Sequence, residues 1–386
     1  SLSIEKKIRY SRPPRLPQIG EAGQLRLRQS RVLLLGVGGL GSPAALYLAA
    51  AGVGTLGLAD PDTVTLHNLQ RQILFREENV GQSKISSATA ALLSLNSATQ
   101  IIPHPAGLTP ENAFDLFSAY DLVLDGTDNF PTRYLANDAA HLAHRPLVHG
   151  SIFQFTGQVS LFHTASGGPC YRCLFPQMPD PASVPTCEQA GVFGALCGTI
   201  GSLMAMEAIK HLTGAGETLQ GRLLTLDLLA AQTRTLRLPR NPACPTCGGN
   251  SSITGIDSAN YHYAGCTTPV SSNAPFSMEN PPLEISIEQA RDWLASDQPP
   301  LLLDVREDDE LAICKIAQAV HIPMDDVPAR LAELPRDRTI LVQCHHGRRS
   351  MRVTQFLREK GFLRATNLAG GIDRWAEKVE PGMARY

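Results

Sequence analysis

The chain has 386 residues, with 34 Lys and Arg against 36 Asp and Glu, 43% apolar and 18% charged residues. That length predicts two or three domains, and the apolar content excludes wholesale disorder. The near-neutral balance excludes the electrostatic footprint of a nucleic-acid binder, and no apolar run is long enough for a membrane-spanning helix, so neither nucleic acid nor membrane is an expected partner. Ser1 to Gly20 is basic and proline-rich, without the apolar centre of a secretory signal. With an odd number of cysteines, nine, this predicts a reducing, cytoplasmic setting rather than a disulfide framework.

In chain order, Arg31–Leu35 is a short apolar run suited to a strand buried on both faces. Gly36-Val37-Gly38-Gly39-Leu40-Gly41-Ser42 follows, and Pro43 stands where the first turn of a helix tolerates it. Gly54–Asp60, Asp121–Asp125 and Pro146–Gly150 read as further strands, and Gly198–Leu212 as an apolar helix stopped by Gly214. This is the alternation of an α/β domain with a mainly parallel sheet. Ser, Asn, Gly, Thr and Pro then dominate, and alternation resumes near residue 283. The organisation expected is a first domain over 1–248, a linker over 249–282 and a small α/β domain over 283–386.

Gly36-x-Gly38-x-x-Gly41 between a strand and a helix is a nucleotide-binding fingerprint, because glycine permits the tight turn and the helix N-terminus offers N–H groups to phosphate. Asp60 ends the next strand, where it can hydrogen-bond ribose hydroxyls; so far an NAD-dependent oxidoreductase fits equally well. Further polar residues accumulate at strand ends: Asp62, Asn68, Arg71, Lys84, Asp128 and Asn129. Hydride transfer does not need them, whereas cleavage of a nucleoside triphosphate does. Arg71 and Lys84 can balance polyphosphate charge, and Asp128 can hold magnesium. A non-catalytic nucleotide-sensing module is the other rival class.

Cys170-x-x-Cys173 and Cys244-x-x-Cys247 form two knuckles whose four thiolates suit tetrahedral zinc. Neither is expected to open a helix in the manner of a redox motif, and with all four positions filled by protein the site should be structural. Among the solitary cysteines, Cys197 and Cys314 read as packing residues and Cys266 has no assigned role, while Cys187 follows the proline-rich stretch Pro176–Pro185, a context that argues against burial. Cys344 follows the strand Thr339–Gln343 and opens the loop His345-His346-Gly347-Arg348-Arg349-Ser350 ahead of a helix. Backbone N–H groups, a helix N-terminus and Arg348 and Arg349 would favour its thiolate. A cysteine phosphatase loop is C-x₅-R; here four residues separate Cys344 from Arg349, one short of that form.

Arg9-Tyr10-Ser11-Arg12, the Gly36–Ser42 loop, Asp60-x-Asp62, Asn68-Leu69-x-Arg71-Gln72, Lys84 and Asp125–Phe130 resemble the E1-like ThiF/MoeB adenylyltransferases, in order over roughly residues 5–248. The resemblance implies a Rossmann-like domain that uses ATP and Mg²⁺ to adenylate the C-terminal glycine of a ubiquitin-like sulfur carrier ending in Gly-Gly, releasing pyrophosphate. It implies that Asp60 binds ribose, that Asn68, Arg71 and Lys84 bind phosphates, that Asp128 holds Mg²⁺, and that a zinc lies at the four cysteines. Arg12 would reach the triphosphate of a neighbouring subunit, which implies a homodimer. At the position of Cys187 some members carry a cysteine that links covalently to the carrier, while others do not require one.

Leu301–Glu307, His321-Ile322-Pro323, the Cys344 loop and Asn367–Ile372 with Trp375 resemble a rhodanese over residues 283–380, departing from that family at Lys315–Ala319. The resemblance implies a persulfide held on Cys344. The whole chain is similar to the MoeB–rhodanese fusions of the MoeZ/MOCS3-like kind. Their combined activity would be adenylation followed by attack of the Cys344 sulfur and reductive release of a thiocarboxylate, with Cys187 as a candidate thiol. A cysteine desulfurase or thiosulfate would supply the sulfur.

Overall fold

The computed structural model describes residues 4–179, 191–261 and 281–386. The chain divides into two compact units, Ser1–Thr267 and Thr268–Tyr386. In the first, the strands are β1 (Arg31–Leu35), β2 (Thr55–Ala59), β3 (Gln100–His104), β4 (Leu122–Asp125), β5 (Leu147–Phe153), β6 (Thr156–Phe162), β7 (Arg222–Asp227) and β8 (Gln232–Arg237). Among the described residues they form one sheet in the order β3-β2-β1-β4-β5-β6-β7-β8. Pairing is parallel from β3 to β5 and antiparallel from β5 to β8.

The apolar run of β1 serves two cores. Val32 and Leu34 enter one with Leu48, Leu92, Ile200 and Met204, from the helices Gly41–Ala51, Lys84–Leu95 and Gly194–Thr213. Leu33 and Leu35 enter the other with Phe117, Tyr134 and Ala139, from the helices Ala113–Ser118 and Phe130–Leu142. Alternating strand side chains thus bury both faces, as parallel sheets require. The helix Gly41–Ala51 is rich in alanine and closes at Gly52, whose φ of 86° is the left-handed cap that glycine adopts freely.

Residues 249–261, read from composition as linker, are held on the first unit. Ser251 Oγ contacts the carbonyls of Pro245 and Thr246 at 2.9 and 2.7 Å, and Tyr261 is buried.

In the second unit, β9 (Glu284–Ile285), β10 (Leu301–Asp304), β11 (Val320–His321), β12 (Ile340–Gln343) and β13 (Ala365–Leu368) form a parallel sheet in the order β11-β10-β12-β13-β9. Leu303 and Val342 face one core, Leu302 and Leu341 the other. Arg358 Nη2 donates to the carbonyls of Pro281 and Pro282 at 2.8 and 2.9 Å, fixing the chain just before β9. Among the described residues, no helix is long and apolar enough to cross a membrane.

Candidate active sites

The carboxyl ends of β1, β2 and β4 lie side by side, Leu35 pairing with both Ala59 and Asp125. The glycine loop therefore sits between Asp60 and the Asp125–Asn129 segment, at the edge where open α/β sheets bind ligands. Gly36 has φ +81° and donates its N–H to Ala59 O at 2.8 Å. A Cβ on Gly41 would fall 2.0 Å from Gly36 O, so the turn closes only with glycine there. The loop faces the next segment too: a Cβ on Gly38 would meet Gln72 Nε2 at 3.4 Å, and one on Gly39 would meet Arg71 Cδ at 3.6 Å.

Asp60 is buried, and its two oxygens accept Val37 N at 2.9 Å and Asp62 N at 3.0 Å. Burial raises its pKa, against the opposing pull of Lys84 and the two amides. Lys84, also buried, opens its helix and donates to Asp62 Oδ2 at 2.8 Å, with Asp60 Oδ1 at 3.9 Å. Asn68 is buried and accepts Thr65 N at 3.2 Å, while Arg71 Nη1 donates to His67 O at 3.2 Å. The two cations of the crevice are thus held by local acceptors.

On the other side, buried Asp125 accepts Thr127 N at 3.0 Å and Thr127 Oγ1 at 2.6 Å. Its second oxygen meets His149 Nδ1 at 2.9 Å. Burial lowers the His149 pKa despite this carboxylate, keeping the ring neutral with Nδ1–H donating. Burial alone would raise Asp125, but His149, Arg133 and Thr127 hold it below its ordinary value. Arg133 adds two bonds to Thr127 O, at 3.2 and 2.9 Å. Asp128 is left exposed at the loop tip, and Asn129 Oδ1 caps the following helix by accepting Thr132 N at 2.9 Å.

The crevice thus gathers Gly36, Gly38, Gly39, Gly41, Asp60, Asp62, Asn68, Arg71, Lys84, Asp128 and Asn129 on neighbouring segments. Arg12 is exposed, and no described contact ties it there. Its neighbour Tyr10 packs on Gly52, at the end of the Gly41–Ala51 helix away from the loop. Cys187 lies outside the described residues. Gln72, Thr127, Arg133 and His149 were assigned no role from sequence. Gln72 stood in the quoted motif, and its buried Oε1 has no partner among the described residues.

Cys170, Cys173, Cys244 and Cys247 converge with all four Sγ within 4.8 Å of one another. Cys170–Cys244 and Cys173–Cys247 are 3.4 Å apart and Cys170–Cys173 4.0 Å. A tetrahedral Zn–S₄ site needs sulfurs about 3.8 Å apart, so the set fits a closed structural zinc site. One local expectation is corrected: Cys170 does open a helix, the single turn Tyr171–Leu174, because Cys173 N and Phe175 N bond back to Cys170 O and Tyr171 O at 3.0 and 2.9 Å. Asp138 joins the knuckles. It accepts Arg172 Nε and Nη2 at 3.0 and 2.7 Å, Thr246 Oγ1 at 2.8 Å and Tyr261 OH at 3.1 Å.

In the second unit Cys344 is buried at the end of β12. Its Sγ receives Gly347 N at 3.2 Å and Ser350 Oγ at 3.3 Å. Gly347 has φ +88° and caps the helix Arg348–Glu359, so the sulfur lies at that helix's N-terminus. The two loop arginines differ. Arg348 is exposed, whereas Arg349 forks onto Glu310, with Nη1 to Oε2 at 2.6 Å. Burial would raise Glu310, but Arg349, the Glu307 amide and Tyr386 bring it down to about 2. Asp304 and Arg306 form a buried pair at 2.7 Å, and Arg306 Nη2 also donates to Cys314 O at 2.9 Å.

A glycine-loop crevice with two carboxylates and a lysine thus stands in one chain with a domain whose buried cysteine sulfur receives an amide and a hydroxyl. The profile of the ThiF family matches residues 10–246, and that of the rhodanese-like domain matches 286–378. The chain belongs to the ThiF family and is an adenylyltransferase and sulfurtransferase of its rhodanese-bearing branch. It is 43% identical over 392 residues to a probable adenylyltransferase/sulfurtransferase MoeZ of Mycobacterium tuberculosis, covering all of this chain and 97% of the relative. Over 397 residues it is 42% identical to adenylyltransferase and sulfurtransferase MOCS3-2 of Zea mays, covering all of this chain and 82% of that one. The fold recurs in the crystal structure of PaaA, with TM-score 0.54 and 22% identity, over 61% of this chain and 75% of that one. It recurs in Escherichia coli MccB with ATP, with TM-score 0.51 and 23% identity, over 59% and 69%.

Proposed function

We propose that the first unit uses ATP to activate the C-terminal glycine carboxylate of a ubiquitin-like sulfur carrier ending in Gly-Gly, and that Cys344 then delivers sulfur to it. The observation that supports this reading is the presence, in one chain, of the Asp60–Lys84–Asp128 crevice and a cysteine whose sulfur receives an amide and a hydroxyl. The carrier carboxylate attacks the α-phosphorus, and pyrophosphate leaves. Like charges oppose that approach, and Arg71 and Lys84 offset them once they turn from His67 O and Asp62 to phosphate. Asp60 and Asp62 hold the ribose side, Asn68 the phosphates, and Asn129 fixes the loop that presents Asp128.

Magnesium, held by Asp128 and phosphate oxygens, would supply charge neutralisation. Zinc at Cys170, Cys173, Cys244 and Cys247 would supply rigidity. Arg12 serves the triphosphate of a second copy in a homodimer, a reading supported by the packing of Tyr10 on Gly52, at the end of the Gly41–Ala51 helix opposite the loop. The outer sulfur of a Cys344 persulfide attacks the acyl carbon and expels AMP, leaving an acyl disulfide. A second thiol, for which Cys187 is the candidate, then attacks Cys344 Sγ; the carrier leaves as thiocarboxylate and a Cys187–Cys344 disulfide remains for a cellular thiol to reduce. A cysteine desulfurase or thiosulfate loads Cys344, and the setting is the cytoplasm.

The test is to incubate the chain with ATP, Mg²⁺, thiosulfate and Gly-Gly-ending small proteins and weigh the intact carriers. A gain equal to one oxygen replaced by sulfur is expected. No gain in any carrier, with no pyrophosphate released, overturns the reading.

A further inference from the structure

The Cys344 loop is held from two sides. On one, Ile372 N and Asp373 N donate to Cys344 O and His345 O at 2.8 and 3.1 Å. On the other lies Tyr386. Its ring stacks on the His345 imidazole, with centroids 4.1 Å apart and planes 15° from parallel. The His346 ring also stacks on His345, at 3.8 Å. The Tyr386 hydroxyl accepts Arg306 Nη1 at 2.8 Å and donates to Glu310 Oε1 at 3.0 Å. Burial raises the phenol pKa, so the donor proton stays in place. Arg306 is fully buried and fixed by Asp304, and Glu310 is the carboxylate onto which Arg349 forks. One side chain therefore joins the residue after the nucleophile to the anchor of the arginine that closes the same loop.

We infer that Tyr386 is a positioning residue for sulfur transfer: it holds His345 and the Glu310–Arg349 pair in register, so that Gly347 N and Ser350 Oγ stay aimed at the Cys344 sulfur. It touches neither sulfur nor carrier. The loop turns through a glycine at φ +88°, and among the described residues its sulfur receives two donors, so a small rotation about His345 would pull the amide off line. Donors lost from the sulfur disfavour the thiolate and the persulfide anion alike. The charged and titratable groups around the loop include His345, His346, Arg348, Arg349, Glu307, Glu310, Arg306 with Asp304, Asp373 and Arg385, and a substitution at Tyr386 leaves every one of them in the chain.

The inference rests on Cys344 as the sulfur-bearing residue, and its test keeps the two apart. In the full chain, the rate of Cys344 alkylation by iodoacetamide is followed against pH by peptide mass mapping. Tyr386→Ala is expected to raise the midpoint by about one pH unit, and Tyr386→Phe, which keeps the stacked ring and loses the hydroxyl bonds to Glu310 and Arg306, by about half as much. Sulfur transfer from thiosulfate to cyanide should fall about tenfold in kcat for Tyr386→Ala, with pyrophosphate release unchanged. Both tryptophans, Trp293 and Trp375, lie in the second unit, so their fluorescence reports its folding in the same samples. If Tyr386→Ala unfolds that unit, Tyr386→Leu takes its place with the same expectations. An unmoved midpoint in a folded variant overturns the inference. Equal thiocarboxylate yield from Cys344→Ala and parent would instead overturn the functional reading beneath it.

Discussion

Thr246 donates its hydroxyl to Asp138 at 2.8 Å, so a residue between Cys244 and Cys247 is bonded to a carboxylate in the helix Phe130–Leu142. The same carboxylate holds Arg172, between Cys170 and Cys173, and Tyr261 beyond both knuckles. Asp138→Asn removes the charge and leaves Arg172 buried without its ion partner. Loss of one member of a buried pair costs about 3–5 kcal/mol. Urea unfolding of the first unit, followed by circular dichroism, should show that loss together with easier removal of metal by a chelator. A variant within about 1 kcal/mol of the parent would refute the role given to Asp138.

The glycine loop makes a narrower prediction. A Cβ at Gly41 would lie 2.0 Å from Gly36 O, and backbone cannot yield as a flexible side chain can. Gly41→Ala should therefore open the turn and weaken ATP binding by about tenfold or more, with thiosulfate sulfurtransferase activity unaffected. Gly81→Ala is the contrasting control, since nothing lies within 4 Å of its Cβ position although its φ is +86°. It should cost some stability and leave nucleotide affinity alone.

Two substitutions should separate the half-reactions. Asp128 is exposed at its loop tip, so Asp128→Ala should fold normally. It should lower pyrophosphate release by about 10²–10³-fold while Cys344 still loads sulfur. Cys344→Ala should release pyrophosphate at the parent rate and transfer no sulfur. Loss of both activities in either variant would contradict independent sites.

Glu310 sets a pH dependence whose sign follows from its shift. Its ordinary value of 4.5 is brought down to about 2 in the folded unit, with Arg349 the main favourable partner. Because the folded value is the lower one, the stabilisation is present above pH 4.5 and is lost as pH falls toward 2. Tryptophan fluorescence should show the second unit weakening across that window. Glu310→Gln should be less stable at neutral pH and flatter against acid, and an unchanged acid limb would count against the pairing.

The parts of the molecule that were readable in the sequence share a physical reason. Gly36–Gly41, the buried strands and the C-x-x-C pairs impose local backbone or donor requirements that few residue types meet, so their spacing carries the information. Asp138 gave no such signal, because its partners are 34, 108 and 123 positions away and meet it only after folding. Tyr386 and Glu310 escaped for the same reason. The polar composition after Gly248 concealed Tyr261, a buried aromatic in a stretch that otherwise reads as spacer. Lys84 and Arg71 read from sequence as cations for phosphate, but sequence could not reveal that Asp62 and His67 O accept their hydrogen bonds. The short helix at Cys170 arises from two turn hydrogen bonds that no periodicity could announce over four residues.

Arg358 and the carbonyls it binds at Pro281 and Pro282 have a practical reading for anyone who wishes to excise the sulfurtransferase half. β9 is only Glu284–Ile285, yet it supplies the edge of the sheet beside β13 and Glu284 receives Asn367 Nδ2 at 2.6 Å. A fragment started at the first apolar strand, Leu301, would be truncated through its own sheet. One started at or before Pro281 keeps both the edge and the guanidinium clamp, and so marks the minimal piece to clone.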